Sequence, residues 1–519
     1  MSINKLLRTP SAFRHLLVTT TPYDLNASAS VTRRWTNRGY VTEPSDSPAN
    51  AAFIERLNSD GGVSFRRSII RQDRLRGVIR PDIGDVNVFA GESGSVDIID
   101  DDADLVWSGR SLTVMLGERD AAFSDFVTIF EGRTDGVSLS ENELSIAVRD
   151  PLGALDKPIQ TREFAGTGGV EGPASLEGQP KPLALGRVRN VEPVALGNVD
   201  LGDGALLTFA VGDDTDGINQ TLGVFSNGAA LTEVTGAPTS GEWKDRPAQG
   251  VFQLGGSAAG TVITADVEGA LDSSGTWPSS VADIISLIRD RVASSLSFAA
   301  NTISDLNSKN SSVVGWWVRD GGRTLDVIGG LLDSIGAYLT ANRAGELVLG
   351  RIEAPGTPVV TLDESQISEI RRLNTATPLS TAQTRYQRTW NTHRRSDIAS
   401  SLSDDRTAEL ENEWRTTAQK AGADGTIWVD AEDEVFDTGL DGGTAAGSEA
   451  TRLAGLFGVQ RSAYEITVTG QSLLRELGET VTVQTDKTGR FGLSAGRDLV
   501  IVGIEERSPF DATTLTVWG

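Results

Sequence analysis

Aliphatic and β-branched residues alternate with polar ones in short runs near both ends of this 519-residue chain, and a backbone patterned with period two buries one face of a sheet. The first group holds residues 94–99, Ser111-Leu-Thr-Val-Met-Leu116, Phe126-Val-Thr-Ile-Phe-Glu-Gly132 and Glu143-Leu-Ser-Ile-Ala-Val148. The last holds Tyr464-Glu-Ile-Thr-Val468, Thr480-Val-Thr-Val-Gln484, Asp498-Leu-Val-Ile-Val-Gly-Ile-Glu505 and Thr513-Thr-Leu-Thr-Val-Trp518. Turn residues break these runs at short intervals, which predicts an all-β sheet or barrel near the start and strands again at the end. A weak echo links them: Ile129-Phe-Glu-Gly132 with Leu144-Ser-Ile-Ala-Val148 resembles Val500-Ile-Val-Gly-Ile-Glu505 with Leu515-Thr-Val-Trp518. A duplicated barrel and a chance repeat of hairpins both fit that echo.

Helical spacing enters only in the middle. Val281, Ile284, Ile285, Ile288 and Val292 share one face, with Ser279 and Ser280 as caps. A second helix, with Thr324 as its cap, carries Leu325, Ile328, Leu331, Leu332 and Ile335. It leads into a strand, a tight turn at Asn342-Arg-Ala-Gly345 and a returning strand. A polar helix is expected over 404–421, with Leu410 and Trp414 on its narrow apolar stripe, and a short one around 450–457. The fold class is therefore mainly β with α+β insertions: two tube-like β-barrel domains plus a helix-containing middle region. The predicted boundaries are 1–62, an N-terminal arm; 63–158, the first barrel; 159–275, a β-rich domain with a linker; 276–355, an α+β unit; 356–401 with 458–519, the second barrel; and 402–457, a helical insert. That division agrees with the three to four domains, at roughly 100–200 residues each, that the length allows.

The chemistry available is narrow. The chain has no Cys and two His, His15 and His393, far apart in sequence, so the residues that most often serve catalysis and metal binding near neutral pH are scarce. No disulfide can stabilise it, which leaves packing and oligomerisation. A formal charge of −24 disfavours a groove that grips phosphates, whereas an acidic wall would let a duplex pass without sticking; solubility alone is the plainer account. No apolar run approaches the ~18 residues of a membrane span, and the opening residues lack a signal-peptide core, which predicts synthesis in a cytoplasm.

Candidate motifs fail one by one. The acidic run 100–104 places carboxylates like the start of a calcium loop, but Leu105 stands where Gly is needed and Ser111 where Glu is needed, so a solvated hairpin tip is expected. The segment 213–217 fails similarly. Gly166-Thr-Gly168 begins like a dinucleotide fingerprint, but Glu171 would repel a pyrophosphate. Nothing selects a catalytic carboxylate pair, so no enzyme, cofactor or metal is expected.

The chain has ten Trp against five Tyr, and Trp316 and Trp317 are adjacent. On a strand they face opposite ways, one into the core and the other toward a partner, a loop or solvent; sugar stacking is the sharper alternative. Arg394 and Arg395, in Thr392-His-Arg-Arg-Ser396, form a basic spot that reads as a salt-bridged surface or a subunit contact.

Three stretches resemble the tail hub proteins of tailed bacteriophages of the Mu-like, long-tailed type. They are Lys181-Pro-Leu-Ala-Leu-Gly-Arg-Val-Arg-Asn-Val-Glu-Pro193; the helix and hairpin from Leu325 to Tyr338 and Ala344 to Pro355; and Leu477-Gly-Glu-Thr-Val-Thr-Val483 with Phe491-Gly-Leu493, Leu499 to Glu505 and Leu515-Thr-Val-Trp-Gly519. The resemblance implies a homotrimer in which two barrels per subunit make a ring of pseudo-sixfold symmetry. It would lie between a distal tail or tail tube protein above and a central fibre or spike below, at the tail tip of a virion made in a bacterial cytoplasm. Phage DNA would pass through its channel without specific binding. The alternatives are a receptor- or glycan-binding tail protein and a virion-associated glycan hydrolase. Residues 1–62 and 402–457 fit the resemblance least well.

Overall fold

The computed structural model describes residues 3–9, 12–57, 62–69, 84–89, 102, 104–140, 143–213, 215–373, 376–486 and 491–519. The strand expected at 94–99 lies outside them, as do residues 100, 101 and 103 of the acidic run. The fold is mainly β with α+β insertions, as the patterning predicts.

The longer strands of the first 150 residues are β1 (Arg14–Thr20), β2 (Arg33–Thr36), β3 (Ala52–Glu55), β4 (Ser64–Ser68), β5 (Asp85–Phe89), β6 (Ser111–Glu118), β7 (Val127–Leu139) and β8 (Glu143–Arg149). The first sheet runs β3-β2-β1-β6-β7-β8-β5. It then closes, because Leu57 and Val63, just beyond β3, bridge Val88 and Val86 on the free edge of β5, and the Asn87 N–H donates to the Gly62 carbonyl at 2.8 Å. Closure removes exposed sheet edges. Buried residues of most of these strands, among them Leu16, Val18, Val86, Val114, Leu144 and Ile146, meet inside.

The second ring is built from β9 (Val360–Leu362), β10 (Ile367–Leu373), β11 (Ala463–Thr469), β12 (Thr480–Val483), β13 (Arg497–Arg507) and β14 (Ala512–Trp518). One bent segment closes it: β9 pairs parallel with β12, and after the Asp363–Gln366 turn β10 pairs antiparallel with β11. The order β11-β14-β13-β12 completes the circuit.

The two rings share one topology. Each has a stretch, residues 52–57 with Val63 or residues 360–373, that pairs parallel first and antiparallel after, referred to as its bend. Four strands of each ring, β5 to β8 or β11 to β14, come later in the chain; the first of them pairs with the bend and with the fourth, the fourth with the third, and the third with the second. In the first ring β1 and β2 are inserted between β6 and the bend. The echoed hairpins, β7–β8 and β13–β14, occupy equivalent places.

The rings interlock. β4 leaves the first and pairs with the far half of β13 in the second. In return, Phe510, from the β13–β14 turn, is buried in the first ring's core, with Phe65 stacked at 6.3 Å and Phe130 beyond it, 4.9 Å from Phe65. Buried Arg14 forms an ion pair with Asp511 at the same turn.

Between them lies a middle region of two five-stranded sheets and an α+β unit. Helix Val281–Val292 has the expected face in the core, and the Ser280 hydroxyl accepts the Asp283 N–H at 3.1 Å as its cap. Helix Thr324–Asp333 starts one residue earlier than its expected cap implies: Arg323 is the N-cap residue, and the Thr324 hydroxyl donates to the Lys157 carbonyl at 2.9 Å. Hairpin Ala337–Ala341 with Leu347–Arg351 follows as predicted. Helix Thr302–Lys309 was not foreseen.

Other expectations need correction. Residues 1–62 are not an arm: β1, β2 and β3 are staves of the first ring. The 402–457 segment is not simply helical, since Asp433–Asp437 is a strand that pairs with Thr381–Tyr386, the latter expected in the second barrel but lying in a separate small sheet. The polar helix stops at Glu411 and leaves Trp414 outside, whereas the last helix is longer than expected, Gly443–Phe457. The acidic run is not wholly a solvated tip. Asp102 is only 2% exposed, accepts from Arg33 Nε at 2.7 Å, and its carbonyl receives the Trp107 indole N–H at 3.0 Å.

Candidate functional site

Of the adjacent pair Trp317 is the one that faces inward, where it packs with Val188, Phe252 and Trp243. Trp316, on the opposite face of the strand Gly315–Val318, rests on the backbone of helix Thr324–Asp333 at Gly330, where an added Cβ would stand 2.1 Å from the ring. Its indole meets Trp390 edge to face at 5.6 Å. Arg388 covers Trp390 with its guanidinium 4.1 Å from the ring centroid and stands 5.2 Å from that of Trp414. Trp316, Arg388 and Trp414, with Trp390 behind them, help to wall an open cleft of ≈670 Å³ between the middle region and the 381–457 segment.

The polar lining is mostly paired. Arg388 Nη2 lies 2.7 Å from Glu413, and Arg385 Nη1 lies 3.1 Å from Asp437, its register neighbour. Asn412 donates to the Ala408 carbonyl at 2.7 Å, closing the end of helix Asp404–Glu411. The cleft's floor is fixed by backbone bonds: the Gly315 N–H donates to the Gly439 carbonyl at 2.8 Å, and the Gly439 N–H donates to the Ser334 hydroxyl at 2.7 Å. Behind it Asp441 accepts from Arg187 at 3.1 Å and Arg189 at 2.9 Å, and these also reach Glu268 and Asp266.

Arg394 and Arg395 sit away from the walls of this cleft, on an exposed turn, with Arg395 at 4.0 Å from Asp404. His393 beside them is buried, and burial lowers its pKa. His15 is likewise buried and lowered, its Nε2 2.7 Å from the Arg38 carbonyl. The histidines lie on different units and form no shared site.

Two carboxyls are pushed up strongly, and both have local structural explanations. Burial raises Asp150 to about 7 against the Leu152 N–H, which donates to it at 2.8 Å at the start of a short 3₁₀ turn. Burial raises Asp245 to about 6, although it accepts the N–H groups of Thr221 and Arg246. They stand on separate elements and do not form an acid–base pair. Of the rejected motifs, Asp213 and Asp216 both clamp Arg291, and Glu171 pairs with Lys181 at 2.6 Å. Among the described residues no group of three or more His, Asp or Glu is placed to hold a metal ion, and no helix is long and apolar enough to cross a membrane.

Sequence reasoning singled out Trp316 but missed Trp390, Trp414, Arg385 and Arg388. The excess of Trp was the available signal.

No family model matches the sequence, and no curated protein matches it. Among solved structures the chain is similar to the tail protein from Neisseria meningitidis MC58, at 12% identity and a TM-score of 0.43, covering 98% of this chain and 97% of that one. It is similar to the prophage MuSo2 43 kDa tail protein from Shewanella oneidensis, at 10% identity and a TM-score of 0.41, covering 97% and 98%. A chain in the virion of a native gene transfer agent particle is similar over 66% of this chain and 84% of its own, at 12% identity and a TM-score of 0.43.

Proposed function

We propose that this chain is a structural virion protein, the homotrimeric hub of a phage tail tip or baseplate. The observation that carries this reading is the repeated ring topology within one chain, because a subunit with two equivalent barrels turns threefold symmetry into six similar positions. Three chains then match a hexameric tail tube on one side and a threefold spike or fibre on the other. The interlock through Phe510 and β4 suits such a role, since it holds the two barrels of a subunit at a fixed angle. The acidic excess gives a channel wall that repels DNA phosphates and lets the duplex pass. The proposal assigns no catalysis and no cofactor. Arg394 and Arg395, exposed on their turn, are candidate subunit contacts.

The test is the mass of the purified chain by light scattering. Three copies of the 55.0 kDa chain give about 165 kDa. A dimer or tetramer at any concentration would count against the trimer.

A further inference from the structure

We propose that the Trp316–Trp414 cleft binds a neutral hexose oligosaccharide. The proposal does not rest on the hub reading.

Trp316 and Trp414 are each only half-buried, so indole surface faces the cleft although the core beside it is completed by Trp317. Exposed indole in a concave site is suited to a ligand with an apolar face and polar edges, and the C–H face and hydroxyl rim of a pyranose have that form. The cleft's ≈670 Å³ falls within the roughly 300–1,000 Å³ of small-ligand sites.

Charge narrows the ligand class. The lining carries Arg385 and Arg388 against Asp333, Glu413 and Asp437, and both arginines already have carboxylate partners. An anionic ligand such as a phosphate would need uncompensated cations. Guanidinium–carboxylate pairs instead offer fixed donors and acceptors side by side, which a vicinal diol can meet with one hydroxyl each way. Charged pairs are also sparse at the centre of protein–protein interfaces, so a protein side chain is the poorer occupant.

The site is preorganised. Gly330 lets Trp316 lie directly on the helix, Trp390 backs it, and Arg388 bridges Trp390 to Trp414. Little ordering remains to be done on binding.

The full-length chain is titrated with three neutral hexose oligomers, maltohexaose, cellohexaose and laminarihexaose, and for comparison with a sulfated and a sialylated oligosaccharide, by calorimetry with tryptophan fluorescence in parallel. Saturable binding of at least one neutral oligomer is expected, weakened about tenfold in Trp414→Ala and largely kept in Trp414→Phe. Trp428→Ala, in a loop outside the cleft, should bind as the wild type does, and melting curves establish that each variant is folded. Absence of saturable binding to all three sugars would overturn the proposal. So would undiminished binding by folded Trp414→Ala, preference for a sulfated or sialylated oligosaccharide, or a cleft sealed by a second copy of the chain, seen as Trp414 protected from oxidation. Oligomeric mass, measured separately, tells failure here from failure of the hub reading.

Discussion

Arg343 lies at the tip of the Ala337–Arg351 hairpin and touches both rings. Its carbonyl accepts the Glu131 N–H from β7 at 2.9 Å, while its guanidinium reaches Glu476 at 2.5 Å, Glu506 of β13 at 3.2 Å and the Arg475 carbonyl at 3.0 Å. Burial alone would lower the Arg343 pKa, but the carboxylates of Glu506 and Glu476 more than offset it and hold it above its ordinary value. Replacing Arg343 with Met keeps much of the stem and removes the charge. Glu476 is half exposed and also paired with Arg67, so its share of the cost is small. The Glu506 side chain is 1% exposed and would keep only the Leu473 N–H as a hydrogen-bond donor in this junction. A buried carboxylate stripped of its cation costs about 3–5 kcal/mol, and the lower end fits a partner that retains one good donor. With a urea m-value of about 3 kcal/mol/M, Arg343→Met should lower the unfolding midpoint by about 1 M. Arg343→Met with Glu506→Gln should recover a good part of that loss, because no unpaired charge stays buried. A loss below about 1 kcal/mol, or a double variant no more stable than Arg343→Met alone, would refute the argument that this charge cluster joins the rings.

Charge reversal within the acidic run should separate its members: Asp102→Lys loses about 3 kcal/mol in chemical denaturation through its pair with Arg33, while exposed Asp104→Lys stays within about 0.5 kcal/mol. Asp150 gives a pH signature. Its folded pKa of about 7 lies above the ordinary carboxyl value, so its contribution is fully present below that ordinary value and is lost as pH rises through about 7. Thermal stability measured at pH 5 and pH 8 should fall more in the wild type than in Asp150→Asn, which mimics the protonated form; equal falls would contradict the assignment. Gly330→Ala should destabilise by about 1–3 kcal/mol as the Trp316 ring is forced off the helix, and fluorescence should report the move. In an exposed helix the same change would gain up to about 1 kcal/mol, so the sign is diagnostic.

What the sequence made legible follows its periodicities. β6, β8, β11 and β14 alternate cleanly because each buries one face, and helix Val281–Val292 shows a full apolar stripe with a serine cap. The echoed hairpins pointed to equivalent positions in two rings, although only pairing partners could distinguish duplication from chance. β2 and β3 were hidden because four-residue strands such as Arg33-Arg-Trp-Thr36 carry too little pattern, and their partners are distant in sequence. Helix Gly443–Phe457 begins with Gly, Thr and Ala, whose small side chains mark no face. Asp102 looked solvated because its burial depends on Arg33, brought in by a different strand. The cleft was out of reach for the same reason: Trp316, Trp390 and Trp414 come from separate elements, and their convergence is a property of the packing.

The central claim is that the two rings of one chain become six positions in a threefold assembly. Electron cryomicroscopy class averages of the purified chain, viewed along the symmetry axis, test it most directly. The account predicts a threefold particle with six barrel densities around an open centre. A particle with a single barrel per subunit facing the centre, or a closed centre, would contradict it.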